Sequence, residues 1–369
     1  MRLWLYILFR ILFMGIQLFG ISILLFLIYA FMNYDPALVH NFLAPPEIRD
    51  QLIKNEQELL GTGIPYDQQF WNFWRGLVFG DCETMGEVFS KGASCNHTFG
   101  VGWEGEAFGR PIDGLIIEGT FNTMVLFLFS FLIFVIVGIS AGIAAGLKPN
   151  GLLDFSIRII ANLFVSVPSI IFAIYALRIS LDPSVGLLSR DFSNRHEIQK
   201  LNFYSYFRDL QTSIRIDALG SDQFAYKGIE GVEKFWIPVM VSGLISSVFL
   251  FRLVRGLILK ETRMLYVRTA KAKGLTPRQV IVRHIFPNIF PKILNAIAVT
   301  IPAAITTTAM VEFVFDFRGL ARLMVVSARV VDIPVLLAGS LVLSFLTMII
   351  VIILDVGSIM LDPRRRLNE

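Results

Sequence analysis

The chain of 369 residues carries a formal net charge of +4, and 55% of its residues are hydrophobic, including 33 phenylalanines. This composition is too apolar for an ordinary soluble domain and indicates a membrane protein. No basic patch with interleaved aromatic residues occurs outside one loop, so no nucleic-acid partner is predicted.

Residues 1–32 are predicted to form the first transmembrane helix. The apolar run from Ile11 to Met32 reaches the length of about 20 residues that a helix needs to cross a bilayer. It exceeds the apolar core of a signal peptide, which is about 7–15 residues long, and no small-residue cleavage pattern follows it. Arg2 and Arg10 are expected to hold the N-terminus in the cytoplasm.

Residues 33–118 form a polar insert in which acidic side chains far outnumber basic ones. This scarcity of positive charge favours the extracytoplasmic side of the membrane. Within the insert, Glu47–Leu60 has the pattern of an amphipathic helix. Cys82 and Cys95, the only cysteines of the chain, form either a disulfide, which would fit an oxidising compartment, or two free thiols. No further ligand follows them at a metal-binding spacing, so no metal site is predicted.

A second span is predicted over residues 120–147, after a short helix at 112–119 that is expected to lie at the membrane surface. Gly138, Gly142 and Gly146 occupy every fourth position within this span. Small residues at this spacing let two membrane helices approach closely, so this face is predicted to pack against another helix.

Residues 156–180 are predicted to form a third span, which three polar residues and a proline interrupt. These are Asn162, Ser166, Pro168 and Ser169, of which the first three are candidates for the pathway. Polar groups inside a membrane usually face protein or a water-filled path, so they indicate either plain helix packing or part of a translocation pathway. Residues 181–234 form a second polar region, which is expected on the extracytoplasmic side.

A fourth span is predicted over residues 235–259, and a basic loop follows over 260–287. The segment from Lys260 to Lys292 contains many Lys and Arg residues and a single acidic residue, Glu261. This is the strongest positive-inside signal in the chain and predicts that the loop is cytoplasmic.

The basic loop has an internal pattern of helix, glycine turn and second helix. Residues 262–273 contain helix formers without a breaker, and Gly274 is the residue type that most easily closes a helix in the left-handed conformation. Thr276 followed by Pro277 is typical of an N-cap and the first position of a second helix. An apolar contact face is expected from Met264, Leu265, Val267, Ala270 and Leu275, with Arg263, Arg268, Lys271, Lys273 and Arg278 at its rim.

Two further spans are predicted over residues 288–311 and 335–360. Thr307 lies inside the first of them and is a candidate for the translocation pathway. The arginines at 364–366 predict a cytoplasmic C-terminus, which agrees with six crossings.

At the basic loop, the chain resembles the inner-membrane permeases of binding-protein-dependent ABC importers. Their cytoplasmic loop has the pattern Glu-Ala-Ala, three residues, Gly, nine residues, Ile-x-Leu-Pro. Residues 268–270, Gly274 and residues 284–287 fill these positions here. The second alanine of the triplet, the glycine and the final proline match, whereas Arg268, His284 and the phenylalanine before the proline depart from the general pattern.

The string from Tyr266 to Leu275 is similar to the oligopeptide/dipeptide (OppB/DppB-like) branch of this family. That branch also has a glutamate like Glu312 before an aromatic stretch, an Asp-x-Pro-Val as at 332–335 and an Asp-Pro-Arg as at 362–364. The resemblance implies an all-α integral membrane protein with six transmembrane helices and the type I ABC importer permease (MetI-like) fold. The permease core would cover residues 119–369, with extracytoplasmic insertions.

The resemblance also implies roles and partners. The basic loop would form the coupling helix that docks on an ATPase, and Glu312 would lie near the outer mouth of the pathway. The residues assigned to ATPase coupling in this way are Tyr266, Thr269, Ala270, Lys271, Ala272, Lys273, Gly274 and Leu275. The implied partners are a second homologous permease in a heterodimer, two ATPase subunits that hold ATP and Mg, an extracytoplasmic binding protein and a peptide. The chain would lie in the lipid bilayer of a bacterial inner membrane.

The sequence has no Gly-x-x-x-x-Gly-Lys-Ser/Thr and no His-Glu-x-x-His, the motifs of a P-loop and of a zinc protease. A transport subunit without its own ATPase site and without a bound cofactor is therefore expected. Two other classes stay open. One is a secondary transporter or channel that works without an ATPase, although the spans hold almost no ionisable residues for coupling. The other is a membrane scaffold whose basic loop docks a different cytoplasmic partner.

Overall fold

The apolar runs of the sequence fold as long helices in a computed structural model of the chain. The structure describes residues 3–32, 34–79, 99–103, 111–180 and 232–361. Within these ranges the regular elements are helices, and the single β-bridge, from Val101 to Pro111, is isolated. Five helical stretches there are long and apolar enough to cross a bilayer, or six if one bent pair counts as a single span. The predicted all-α, multi-pass membrane architecture is confirmed.

The described helices follow the chain in this order: α1 (Leu3–Met32), α2 (Pro36–His40), α3 (Pro46–Leu60), α4 (Tyr66–Val78), α5 (Asp113–Leu147), α6 (Leu152–Ser166), α7 (Ser169–Ser180), α8 (Val232–Thr262), α9 (Leu265–Ala272), α10 (Pro277–Val280), α11 (Phe286–Val314), α12 (Leu320–Val330) and α13 (Ile333–Leu361). A π-helical segment, Ile281–Ile285, joins α10 to α11. Helices α8, α11 and α13 enclose the spans predicted at 235–259, 288–311 and 335–360.

The third predicted span consists of two helices rather than one. Helices α6 and α7 meet at Val167 and Pro168 with a bend of 102°. Pro168 offers no backbone N–H to α6 and disfavours a helical conformation at the residue before it. Val167 is accordingly extended, with φ −102° and ψ 131°. The proline that was predicted to interrupt the span therefore breaks it.

Helix α5 is continuous from Asp113, so the short surface helix predicted at 112–119 and the span predicted at 120–147 are one element. Its three spaced glycines, Gly138, Gly142 and Gly146, lie against α8. A Cβ atom at these positions would come within 2.9, 2.7 and 2.6 Å of the Cβ atoms of Leu250, Val254 and Ile258. These distances leave no room for a side chain, so the predicted close packing is confirmed.

The described helices belong to two units. The first comprises residues 1–12, 121–319 and 346–369, and the second comprises 13–120 and 320–345. In the first unit, α11 packs along α8 and against α7. Its core is an apolar cluster contributed by α5, α7, α8, α11 and the turn after α11: Leu126, Ala173, Phe235, Val239, Val311, Phe315 and Phe317.

The second unit contains most of the polar insert. The predicted amphipathic helix at Glu47–Leu60 is confirmed as α3, which ends at Gly61 in the left-handed conformation with φ +71°. Trp103 is buried beside Leu60, and its indole Nε1 donates to the Leu60 carbonyl over 3.3 Å. Its backbone N–H donates to Asp332 Oδ2 over 3.2 Å. Cys82, Cys95 and almost all of the loop at 181–234 lie outside the described residues.

Candidate functional site

The basic loop begins where α8 ends. Helix α8 continues through Thr262, and Met264 then turns the chain with an extended backbone, φ −70° and ψ 150°. Helix α9 starts at Leu265. The helix predicted over 262–273 is therefore shorter than expected, because its first residues belong to the membrane-spanning helix before it.

The glycine turn and the second helix have the predicted geometry. Gly274 has φ +80°, a conformation that other residue types adopt only with strain. The Thr276 side chain accepts from the Gln279 backbone N–H over 3.4 Å, and the Gln279 side chain accepts from the Thr276 N–H over 3.0 Å. This reciprocal capping box, with Pro277 at the first helical position, starts α10.

Helix α10 leads into α11 without a break. In the π-helical segment, the Phe286 backbone N–H bonds to the Ile281 carbonyl, five residues back. Pro287 has no N–H for the Arg283 carbonyl, and a wider π turn accommodates this missing bond. The sequence predicts a loop that ends at 287 and a span that begins at 288, but the helical structure continues across this point. The second loop helix and the fifth span form one continuous helical stretch, Pro277–Val314.

The loop residues divide into a buried and an exposed set. Val267 and Ala270 on α9 are 1% and 4% exposed, so they pack within the chain. Leu265 is 77% exposed. The apolar contact face expected from the sequence is therefore split between these two sides. Among the residues assigned to the contact face, to its rim and to coupling, the exposed ones are Arg263, Met264, Leu265, Arg268, Thr269, Lys271, Ala272, Lys273, Gly274 and Arg278.

The other two residues assigned to coupling, Tyr266 and Leu275, are half-buried. The Tyr266 hydroxyl donates to Glu261 Oε1 over 2.9 Å. The second oxygen of that carboxylate accepts from the Lys292 ammonium on α11 over 2.8 Å. In the sequence, Glu261 stands out only as the single acid among many bases. That isolation was the signal that could have identified it, because a lone acid in a basic stretch has several possible partners.

The pathway candidates on α6 and α7 lie at the bend. Asn162 and Ser166 are exposed and four residues apart, so they share one face of α6. Pro168 is also exposed, at the start of α7. The Asn162 carboxamide oxygen accepts from an Arg252 guanidinium nitrogen over 2.8 Å. These three residues thus form one exposed group.

The two candidates on α11 are buried and do not join that group. Thr307 is 4% exposed, and its hydroxyl bonds to the Ala303 carbonyl over 2.9 Å. Glu312 is fully buried, and a Cβ atom at Gly319 would overlap its carboxylate. The neighbour Thr306 is exposed instead. A helical period of 3.6 residues, counted from the exposed Lys292, places Thr306 rather than Thr307 on the exposed face.

An exposed stripe runs along α11. Its members recur at intervals of three or four residues, as one face of a helix requires. They are Lys292, Asn295, Val299, Pro302, Thr306 and Met310, of which Asn295 is half-buried. The N-terminal part of the stripe borders a cleft of about 480 Å³ between α8 and α11. Arg252, Lys260 and Lys292 line this cleft and make it positively charged.

The string Gly138-Ile-Ser-Ala-Gly142 has the spacing of a hydrolase nucleophile motif. Such a nucleophile sits on a sharp turn between a strand and a helix. Ser140 instead lies in the middle of α5, and its hydroxyl bonds to the Ile136 carbonyl of its own helix over 2.6 Å. The motif is therefore helix packing, not a catalytic serine. No group of three metal-ligand side chains occurs among the described residues.

Residues 135–367 match the family described as binding-protein-dependent transport system inner membrane component. This match includes α8, the basic loop, the whole of α11 and α13. It covers more than half of the chain.

Three curated relatives show how far the similarity extends. A putative peptide permease protein from Brucella suis biovar 1 is 24% identical over 266 residues, which are 70% of this chain and 73% of the relative. The dipeptide transport system permease protein DppB of Alkalihalophilus pseudofirmus is 24% identical over 352 residues, 94% of this chain and 95% of the relative. The glutathione transport system permease protein GsiC of Shigella flexneri serotype 5b is 24% identical over 361 residues, 98% of both.

Proposed function

Because the chain belongs to the family of binding-protein-dependent transport system inner membrane components, and is thus the permease subunit of an ABC importer, we propose that it imports peptides. In this proposal it forms half of the translocation pathway beside a second, homologous permease. Peptide as the substrate class is supported by the relatives, whose names describe a peptide, a dipeptide and a glutathione permease.

The observation that carries the proposal is the geometry of the basic loop. A short helix, a left-handed glycine and a capped second helix present an exposed surface, and the second helix continues into a membrane span. A cytoplasmic subunit that pushed on α9 would act on a loop that continues into α11. Movement of the loop would therefore act on a membrane span.

The exposed side of α9 indicates the chemistry of the surface that receives it. Leu265 projects from α9, whose other exposed side chains include Arg268 and Lys271, and Lys273 is exposed at its C-terminal cap. A groove with an apolar floor and an acidic rim would complement this pattern. We assign this groove to an ABC ATPase subunit, one of two in the complex. These subunits would bind ATP and Mg, and this chain would hold no nucleotide or metal.

The proposed orientation follows from charge. The basic loop and both termini lie in the cytoplasm, and the acidic insert lies outside, where an extracytoplasmic binding protein would deliver the peptide. On α11, the exposed stripe would face the pathway or the second permease. The polar group at the α6–α7 bend, Asn162, Ser166 and Pro168, would line the same path.

A photocrosslinking experiment tests the docking assignment. p-Benzoylphenylalanine is placed at Thr269 or Lys271, both exposed on α9, and membranes that contain the full transporter are irradiated with and without ATP and Mg. We expect a crosslink to an ATPase subunit whose yield depends on nucleotide. Leu59 on α3, which is 53% exposed, provides the control position and is expected to give no such product. Failure of both α9 positions, with the ATPases present, would overturn the docking role.

The substrate class requires a separate experiment. The transporter and its binding protein are reconstituted in vesicles and supplied with ATP and a synthetic mixture of short peptides. Mass spectrometry then measures which peptides enter the vesicles. Uptake that needs both ATP and the binding protein is expected. A transporter that hydrolyses ATP in response to its binding protein but takes up no peptide would contradict the peptide assignment alone.

A further inference from the structure

Glu261 connects three helices through one buried carboxylate. It is the penultimate residue of α8 and is 5% exposed. Its Oε1 accepts from the hydroxyl of Tyr266 on α9 over 2.9 Å, and its Oε2 accepts from the ammonium of Lys292 on α11 over 2.8 Å. The same side chain thus holds the end of one membrane span, the docking helix and the start of another span.

The covalent route from α9 to α11 is less direct. It passes through Gly274 in the left-handed conformation, through the single turn of α10 and through the π-helical segment. Glycine and π turns are places where a helical chain bends with little cost. A displacement of α9 could therefore be absorbed along this route before it reached the exposed stripe of α11.

The Glu261 bridge bypasses that route. Both of its bonds are charge-assisted, and such bonds are stronger than neutral ones. Lys292 is the first member of the exposed stripe on α11, and it also borders the basic cleft. A pull on Lys292 would therefore act directly on the exposed stripe of α11, the face proposed to line the pathway or to contact the second permease.

We propose that Glu261 is a positioning residue that transmits movement of the docking helix α9 to α11 through its bonds to Tyr266 and Lys292. This inference rests on the proposed function of the loop, because it needs α9 to be the part that the ATPase moves. It adds a residue and a route that the resemblance to the family did not supply. Each carboxylate oxygen accepts from a different helix.

The informative substitution is Glu261→Gln. The NH₂ group of an amide can donate to the Tyr266 hydroxyl but cannot accept from the Lys292 ammonium. Whichever way the amide points, Glu261→Gln therefore removes the negative charge from both contacts and abolishes the ion pair with Lys292. The shape of the side chain is unchanged, so packing around the end of α8 stays the same.

The test follows both ends of the route in membranes that contain the full transporter. One p-benzoylphenylalanine probe at Thr269 reports contact of α9 with the ATPase. A second probe at Val299, which is 70% exposed on the α11 stripe, reports movement of α11. For each probe, the crosslink yield is compared without nucleotide and with ATP, Mg and vanadate. We expect Glu261→Gln to keep the response at Thr269 and to reduce the response at Val299 about tenfold, within the range of known coupling between sites.

Matched lysine variants control for the loss of charge. Lys260 and Lys292 border the same cleft and are both exposed, but Lys292 is the one bonded to Glu261. Lys292→Gln is expected to behave as Glu261→Gln does, Lys292→Arg to retain the response, and Lys260→Gln to leave it unchanged. If Glu261→Gln does not accumulate in the membrane, Tyr266→Phe and Lys292→Gln carry the test, because each removes one bond.

Each outcome decides the matter. Retention of the Thr269 response with loss of the Val299 response in Glu261→Gln and Lys292→Gln supports the inference. An unchanged Val299 response in those variants overturns it and leaves the docking role intact. An equal loss in Lys260→Gln also overturns it, because cleft charge alone would then be responsible. If the unmodified chain shows no Thr269 crosslink at all, the docking role and this inference fail together.

Discussion

The two ends of α11 are held in different ways. At its N-terminal end, the chain arrives through α10 and a π-helical segment, where Arg278 and Arg283 are exposed and Lys292 is tied to Glu261. At its C-terminal end, the helix closes in a buried turn. Phe315 and Phe317 there are 2% and 0% exposed, and the Phe317 backbone N–H donates to the Glu312 carbonyl over 2.9 Å.

Polar contacts hold the first end and close packing holds the second. Close-packed groups have little freedom to rearrange, because any gap costs the contacts that filled it. The N-terminal end lies among exposed side chains, so it can move together with the loop to which Glu261 ties it without opening such a gap. We therefore expect α11 to move at its N-terminal end, where the basic loop acts on it, and to pivot near its C-terminal end.

The largest effect is expected from Gly319→Ala, which changes the packed end. The added Cβ would overlap the buried Glu312 carboxylate, and overpacking of this kind costs about 3 kcal/mol. The midpoint of thermal unfolding in detergent should fall accordingly. Gly256→Ala on α8 is the control, because a Cβ there meets nothing within 4 Å. Equal midpoints for the two variants would show that the C-terminal end of α11 is not the rigid one.

A smaller effect is expected from Gly274→Ala at the loop. A Cβ at this position meets nothing within 4 Å, so the cost is the left-handed backbone alone, about 1–2 kcal/mol for a residue with a side chain. The substitution should lower the free energy of local opening of α9 and α10, while the stability of the whole protein changes little. Amide hydrogen exchange over the loop should therefore accelerate, while the thermal midpoint changes little.

Gly274→Asn is the matched variant, because asparagine tolerates the left-handed conformation better than alanine does. It should exchange more slowly than Gly274→Ala. If alanine and asparagine accelerate exchange equally, the turn does not keep its positive φ in the membrane.

Removal of the cap at Thr276 should have an effect of about 1 kcal/mol, typical for a lost helix N-cap. Thr276→Ala loses the acceptor for the Gln279 N–H, whereas Thr276→Ser keeps it. Hydrogen exchange in the first turn of α10 should rise in the alanine variant and stay close to that of the unmodified chain in the serine variant. An increase that spread into α11 beyond the π segment would contradict the view that this end bends independently.

The parts of the loop that could be predicted from sequence are those that depend on neighbouring residues. A glycine at the end of a helix and a threonine before a proline have preferences that local chemistry determines, and both are found at Gly274 and Thr276. Pro168 likewise marked the break in the third span, although the 102° bend depends on what the two helices pack against.

Features that depend on helix rotation or on distant partners could not be predicted. Three consecutive threonines on α11 are chemically alike, and only the way in which α11 packs on α8 makes Thr306 exposed and Thr307 buried. Ala270 matches the family pattern but is buried in its own chain. The Glu261–Lys292 pair joins residues from two different helices, and nothing in the local sequence specifies it.

Thr306 and Thr307 also provide a test of which face of α11 lines the pathway, with the smallest expected effect. Thr306 and Thr307 both bond to a carbonyl one turn back, over 2.9 Å in each case, so Thr→Val removes the same intrahelical bond at each site. Stability should fall by about 0.5 kcal/mol or less in both variants, because an intrahelical hydroxyl bond adds little to a helix that is already formed.

The rate of peptide import should distinguish the two variants. Thr306→Val removes an exposed polar group from the stripe and should lower ATP-driven peptide uptake about threefold, the size of one lost hydrogen bond, while Thr307→Val should leave uptake unchanged. The reverse order would place the pathway on the face of α11 that packs against α8, and the stripe from Lys292 to Met310 would then face lipid or the second permease.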